Sequence, residues 1–142
     1  MTFKLSRQQT GTLGELIAVA KLNSLGHPAY MSPEGAPGHD LIVVVDGTPK
    51  SVEVKTRQFV RRASEITRRP VDMEAKGNAD FFIFVELNLQ TFVPTFYLLT
   101  NSQARQVFRD YKGGGNCYPP DVRKLISPND FGRLTLDHGA SS

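Results

Sequence analysis

The stretch from Gly38 to Thr56 constrains the fold more than any other: Gly-His-Asp-Leu-Ile-Val-Val-Val-Asp-Gly-Thr-Pro-Lys-Ser-Val-Glu-Val-Lys-Thr. Leu41 to Val45 is one β-branched run and Ser51 to Thr56 another, so both read as strands. Asp46-Gly47 between them is a hairpin signal, because Gly accepts the positive φ such turns need. Asp40, Glu53 and Lys55 are charged where a buried strand should be apolar. Function is to be sought where composition and pattern conflict in this way.

Side chains alternate along a strand, so Glu53 and Lys55 share a face and Val52 and Val54 take the other. If Asp46 pairs with Pro49 across the turn, Ile42 lies opposite Glu53 and Asp40 opposite Lys55. Asp40, Glu53 and Lys55 then gather at one end of one face, and a slip of one residue would part them. Two carboxylates aimed at one point suit a hard divalent cation such as Mg²⁺ or Mn²⁺, which takes oxygen ligands. The Val54 backbone carbonyl offers a further oxygen. A Lys55 ammonium beside such a site can orient a water and offset charge building on a phosphate. An ordinary hairpin gives a second reading, in which Asp40 opens a strand and Glu53 and Lys55 are a solvated pair. Ile42 and Val44 on the same face argue that the face is covered, and covered charges need a reason.

Asp40, twelve intervening residues and then Glu53-Val54-Lys55 resemble the signature of the PD-(D/E)xK nuclease superfamily. The resemblance spans roughly the first hundred residues in order of elements and four residues in identity. It implies an α/β, restriction-endonuclease-like core: a helix, a three-stranded meander, a second helix and a further strand, giving a central mixed sheet of four to five strands flanked by helices. A helix carrying Glu15 ahead of the acidic strand is similar to the Holliday-junction-resolvase-like members. His39 stands where the name-giving Pro would be, a position that varies in the superfamily. The resemblance implies metal-dependent cleavage of phosphodiester bonds, more often in DNA, with Glu15 assisting as an outer ligand. It also implies a homodimer with one active site per strand.

A chain of 142 residues is long enough for one domain with a proper core, placed at about residues 10–112 with an irregular tail over 113–142. A net charge of +3 permits a polyanionic partner without demanding one. Cys117 is the single cysteine, which excludes an internal disulfide and zinc-finger spacing and suits a reducing, cytoplasmic setting. No apolar run approaches the ~18 residues of a membrane span, and residues 1–10 lack the apolar core of a signal peptide.

Thr10 to Leu25 reads as a helix with Leu13, Leu16, Ile17 and Ala20 as its apolar stripe, stopped by Gly26 and Pro28. Thr12 with Glu15 matches a capping box, so Glu15 has a second, purely local role open to it. Ala29 to Ser32 reads as a short strand and Pro33 to His39 as a loop, in which Gly38 permits close backbone approach and His39 is either an exposed loop residue, the reading preferred, or a phosphate contact. Residues 57–69 carry Arg57, Arg61, Arg62, Arg68 and Arg69 against the single acid Glu65. As a helix this segment places Arg57, Arg61 and Arg68 on one side and Phe59, Ala63 and Ile66 opposite. A charge run is ordinarily a solvated face; its position after Lys55 and the exclusive use of Arg, with its planar phosphate-gripping fork, favour contact with a nucleic-acid backbone.

Asp80 to Leu89 and Pro94 to Leu99 are apolar enough for buried strands, with Pro94 at a strand start or edge. Thr100, Asn101 and Ser102 are good N-caps for a helix over Gln103 to Lys112, with Ala104, Val107, Phe108 and Tyr111 inward. The aromatics read as core rather than base-stacking platforms. In the tail, Val122, Leu125, Ile126, Phe131, Leu134 and Leu136 are candidates to pack back on the core. The sequence thus points to a divalent-metal-dependent endonuclease. Its rivals are a module of the same fold that binds nucleic acid or protein without catalysis, and an RNA-directed or toxin-type nuclease.

Overall fold

The computed structural model describes residues 4–33, 40–61, 71–73, 79–111, 114–117 and 119–135. Helix α1 (Arg7–Ser24) leads into β1 (Ala29–Met31), β2 (Leu41–Val45) and β3 (Thr48–Phe59). Then come β4 (Val71–Met73), β5 (Phe81–Asn88), β6 (Pro94–Thr100), α2 (Asn101–Val107), β7 (Phe108–Tyr111), β8 (Gly114–Cys117) and α3 (Pro119–Leu125). Five strands form the main sheet in the order β1-β2-β3-β5-β6; β3 and β5 are its one parallel pair. β4, β8 and β7 form a separate antiparallel sheet. The expected mixed sheet flanked by helices is therefore observed.

The hairpin turn sets the register. Asp46 and Gly47 take φ of 49° and 79°, so these two residues alone make the loop. Val45 pairs with Thr48 and Leu41 with Val52. This corrects the expected Asp46–Pro49 pairing by two residues. A shift of two keeps every paired side chain on its face, so Glu53 and Lys55 still share one, while Asp40 precedes the paired residues of β2. The strand also admits Pro49: its partner Val44 donates its N–H to the Pro28 carbonyl on the β1 side, at 2.8 Å, and β5 starts too late to flank it.

The α1 start also differs from expectation. Ser6, not Thr12, is the N-cap: its hydroxyl accepts from Gln9 N at 3.1 Å, and Gln9 Oε1 accepts from Ser6 N at 2.9 Å. Glu15 therefore lies well inside the helix, with no capping work to do. The buried stripe is Thr10, Gly14, Ala18 and Leu22 rather than Leu13, Leu16, Ile17 and Ala20. Ile17 packs on the core, but Leu16 is 50% exposed. Small residues win because α1 presses onto β3: a Cβ on Gly14 would stand 1.7 Å from Thr56 Oγ1. Gly26, at φ 90°, ends the helix as expected.

The two sheet faces carry two cores. Leu41, Val43, Val52, Val54, Phe81, Ile83, Phe96 and Leu98 pack with Ala18 and Leu22 of α1. Phe82, Phe84, Tyr97 and Leu99 on the opposite face pack with Ala104 and Val107 of α2 and Val122 of α3, along with Ile126. Phe81, Phe82, Phe84, Phe96 and Tyr97 are core, as expected; Phe84 and Tyr97 stack with centroids 6.1 Å apart.

Three further expectations are corrected. Arg57 to Phe59 continue β3, paired with Glu86 to Asn88, so no helix begins at Arg57. Continued ladder pairing with β5 outweighs the helical spacing of the arginines. α2 is capped by Thr100 and Gln103, which exchange bonds of 3.0 and 3.2 Å, but it stops at Val107 because Phe108 to Tyr111 pair with β8. The tail beyond residue 113 is not irregular throughout: it supplies β8 and α3, and Val122, Ile126 and Leu134 are buried.

Candidate active site

Asp40 directly precedes the Leu41–Val52 pair, and Asp40 N donates to Val52 O at 2.8 Å. The Asp40 carboxylate then turns to the β3 backbone, where Oδ2 accepts from Val54 N at 2.8 Å. The N–H and C=O of one strand residue leave the strand on the same side. Val54 therefore also aims its carbonyl toward Asp40, where an oxygen ligand would be wanted.

Glu15 approaches from α1 and hydrogen-bonds to Asp40. Burial first, then the Asp40 charge, then that hydrogen bond raise its pKa to about 7. Glu15 thus keeps its proton up to near neutral pH. Glu53 is 6% exposed, a depth at which a carboxylate is rare without a compensating charge. Among the described residues no three His, Cys, Asp or Glu side chains form a ready-made metal cluster. The pair that meets is Glu15 with Asp40; Glu53, the register partner of Phe82, points to the sheet face away from α1.

Lys55 lies two residues beyond Glu53 on the same face, partly buried, with Phe84 as its register partner on β5. Arg57 is next along that row, also half-buried, and Arg61 is exposed. Arg62, Arg68 and Arg69 lie outside the described residues, as do Gly38 and His39. The oxygen donors present suit a hard divalent cation: they are anionic, partly shielded from water, and one of them holds a proton that a cation could replace.

The sequence reading missed a second charged cluster. Glu86 on β5 is 2% exposed; Arg123 of α3 bonds both of its oxygens, Nη2 to Oε2 and, at 3.3 Å, Nε to Oε1. The Tyr97 hydroxyl joins both partners. Burial pushes the Tyr97 pKa up, with the Glu86 charge adding to it. A lone acid inside Phe81-Phe82-Ile83-Phe84-Val85-Glu86-Leu87 was the available signal, the same kind that marked Glu53.

No protein-family model and no curated protein matches the chain. A solved structure does: that of the bacterial homing endonuclease I-Ssp6803I is similar with a TM-score of 0.59, at 17% identity, over 96% of this chain and 96% of that one. The described elements thus belong to an α/β fold also found in a homing endonuclease, a five-stranded mixed sheet flanked by helices.

Proposed function

We propose that the protein is a divalent-metal-dependent endonuclease of the PD-(D/E)xK type that hydrolyses phosphodiester bonds in DNA. The observation that carries this reading is the meeting of Glu15 from α1 with Asp40, whose carboxylate is tied to the β3 backbone at Val54 N. Such crowding of acids costs stability unless a cation is to be held there. The likeness of fold to a homing endonuclease supports it. In this reading Asp40, Glu53 and the Val54 carbonyl hold Mg²⁺ or Mn²⁺, with Glu15 as an outer ligand. The cation, when bound, neutralises charge on the phosphoryl group. Lys55 orients the attacking water and offsets charge developing on the phosphate oxygens. Arg57 and Arg61, followed by Arg62, Arg68 and Arg69, grip the nucleic-acid backbone. A homodimer would place one site on each strand, and the lone Cys117 suits a cytoplasmic enzyme.

The test is cleavage of plasmid, linear duplex, single strand, four-way junction and RNA with Mg²⁺ or Mn²⁺, and again with EDTA. Lys55→Ala and Asp40→Ala run alongside. Metal-dependent cleavage of DNA that falls by roughly 10²–10³ or more in each variant is expected. DNA binding that neither substitution alters, with no cleavage under any condition, overturns the enzyme in favour of a binding module.

A further inference from the structure

The end of the sheet where β3 and β5 finish gathers two exposed features from distant parts of the chain. The first is the start of α1. Gln58, on the α1 face of β3, holds Leu5 by both of its backbone groups: Leu5 N donates to Gln58 Oε1 at 2.8 Å, and Gln58 Nε2 donates to Leu5 O at 2.7 Å. That grip fixes the start of the chain, with the exposed Lys4 and Arg7, at the end of β3. The helix start itself is already satisfied by the Ser6 and Gln9 side chains.

The second feature is the turn from β5 to β6. Leu89 N donates to Phe59 O at 2.9 Å, so this turn begins where β3 ends. Asn88 Oδ1 accepts from Gln90 N at 2.9 Å and from Thr91 N at 3.3 Å, and Val93 N donates to Thr91 Oγ1 at 3.2 Å. Within this tight bonding Phe92 takes φ of 58°, a region that suits Gly or Asn and strains a bulky side chain. Core packing does not repay the strain, because Phe92 is 51% exposed and the neighbouring Val93 60% exposed. An aromatic held out to solvent on a strained, well-bonded turn points to a contact outside the chain.

The partner is set by charge. Residues 1–14 hold two cations and no acid, and residues 87–101 hold no acid either, so the two segments together favour a polyanion. A nucleic acid offers both things on display here: phosphates for cations and base faces for an aromatic. The way to the candidate site runs along α1 rather than over a covered sheet face. Arg7 and Glu15 are eight residues apart, which is about 12 Å along the helix and about 80° around it. Gln8, Gly11 and Thr12 between them are exposed and uncharged, and nothing stands within 4 Å of a Cβ on Gly11.

Resting on the reading of the site as a DNA nuclease, we infer that this corner is a second contact with the bound DNA. Lys4 and Arg7 grip backbone phosphates about three to four nucleotides from the one held at Glu15 and Asp40, at about 3.4 Å of rise per nucleotide. Phe92 packs against a base beyond them. Gln58 acts through Leu5 and is a positioning residue.

The experiment measures binding of a short fluorescent duplex of random sequence, with Ca²⁺ replacing Mg²⁺, across a salt series. The full chain is compared with Lys4→Gln/Arg7→Gln, with Phe92→Gly and with Phe92→Asn. Cations at a helix start are unfavourable to its dipole, and Gly and Asn both accept positive φ, so the fold persists in all three; thermal melting verifies it. Each phosphate contact contributes about 0.9 to the slope of log K against log salt, so Lys4→Gln/Arg7→Gln is expected to lower the slope by about 1.8. Both Phe92 variants are expected to bind about 5- to 150-fold more weakly with the slope unchanged, because the lost contact carries no charge. A folded Lys4→Gln/Arg7→Gln chain with the wild-type slope, or folded Phe92 variants that bind as tightly as the wild type, overturn the inference and leave the nuclease reading intact. A wild-type chain that binds no DNA removes both.

Discussion

Glu15 in α1 and Asp40 just ahead of β2 share a hydrogen bond, although they come from different layers of the fold. The Glu15 pKa is raised from 4.5 to about 7, so the native state holds a proton that the unfolded chain releases in this window. The resulting stability is fully present below pH 4.5 and is lost as pH rises to about 7. Glu15→Gln has no such proton to lose. The stability of the wild type relative to Glu15→Gln should therefore decline between those two values and be flat on either side. Urea titrations of both proteins across this pH range measure it, and a constant difference would refute the raised Glu15 pKa. The same ionisation predicts metal-dependent cleavage that rises with pH through about 7, since a cation competes with the Glu15 proton.

Gly14 matters for a different reason. A methyl group there would meet Thr56 Oγ1 at 1.7 Å and Thr56 Cβ at 2.8 Å, so α1 would have to lift from β3. Gly14→Ala raises helix propensity, but overpacking of this kind costs roughly 1–3 kcal/mol and outweighs the gain. Because α1 carries Glu15, the lift also separates Glu15 from Asp40. Thr56→Ala should rescue Gly14→Ala in part, and a double-mutant cycle by thermal melting checks the coupling. Additive losses would mean that the two residues do not touch.

Much of the fold was legible because local signals were strong. The runs Leu41–Val45 and Phe81–Leu87 could only be strands, and Gly26 could only end a helix. The site was legible through charges that contradict such runs, as at Glu53. Where the reading failed, a tertiary preference overrode a local pattern. Leu16 has the right helical spacing for the core, but small residues at Gly14 and Ala18 allow closer helix–sheet contact. Arg57 has helical spacing with Arg61, but the parallel pairing with β5 extends the strand through it. Phe108 and Tyr111 suit the inner face of a helix, yet they pair with β8, whose Gly-Gly-Asn-Cys sequence gives little strand signal. Glu86 and Arg123 are 37 residues apart in the chain, and no local pattern joins them.

The Asp46-Gly47 turn offers a prediction about register. Both residues take positive φ, and at Gly47 the value is 79°. Nothing crowds a Cβ there, so the penalty of Gly47→Ala is conformational, about 1 kcal/mol. Asp46→Asn keeps a residue type that tolerates this region and should be near neutral. Denaturant melts separate the two. If Gly47→Val costs no more than Asp46→Asn, a longer loop must replace the two-residue turn, and the pairing of Leu41 with Val52 is lost with it.

Ser51 and Asp80 clamp the parallel strands just ahead of the site. Ser51 N and Oγ donate to Asp80 Oδ2 at 2.9 and 3.2 Å, and Asp80 N donates to Ser51 Oγ at 3.0 Å. These bonds fix the register that sets Glu53 beside Phe82, two residues further along each strand. Asp80→Ala removes the first two. Exposed bonds of this kind are worth roughly 0.5–1.5 kcal/mol each, so a loss of about 1–2 kcal/mol is expected. Asp80→Asn keeps an acceptor and should recover most of it. The sharper readout is hydrogen exchange at the Ser51 amide. Protection should fall in Asp80→Ala well beyond the change in global stability, because this end of β3 opens first. If exchange there merely follows global unfolding, the clamp is not what holds β3 and β5 in phase, and the position of Glu53 rests on the apolar packing of Phe82 and Phe84 alone.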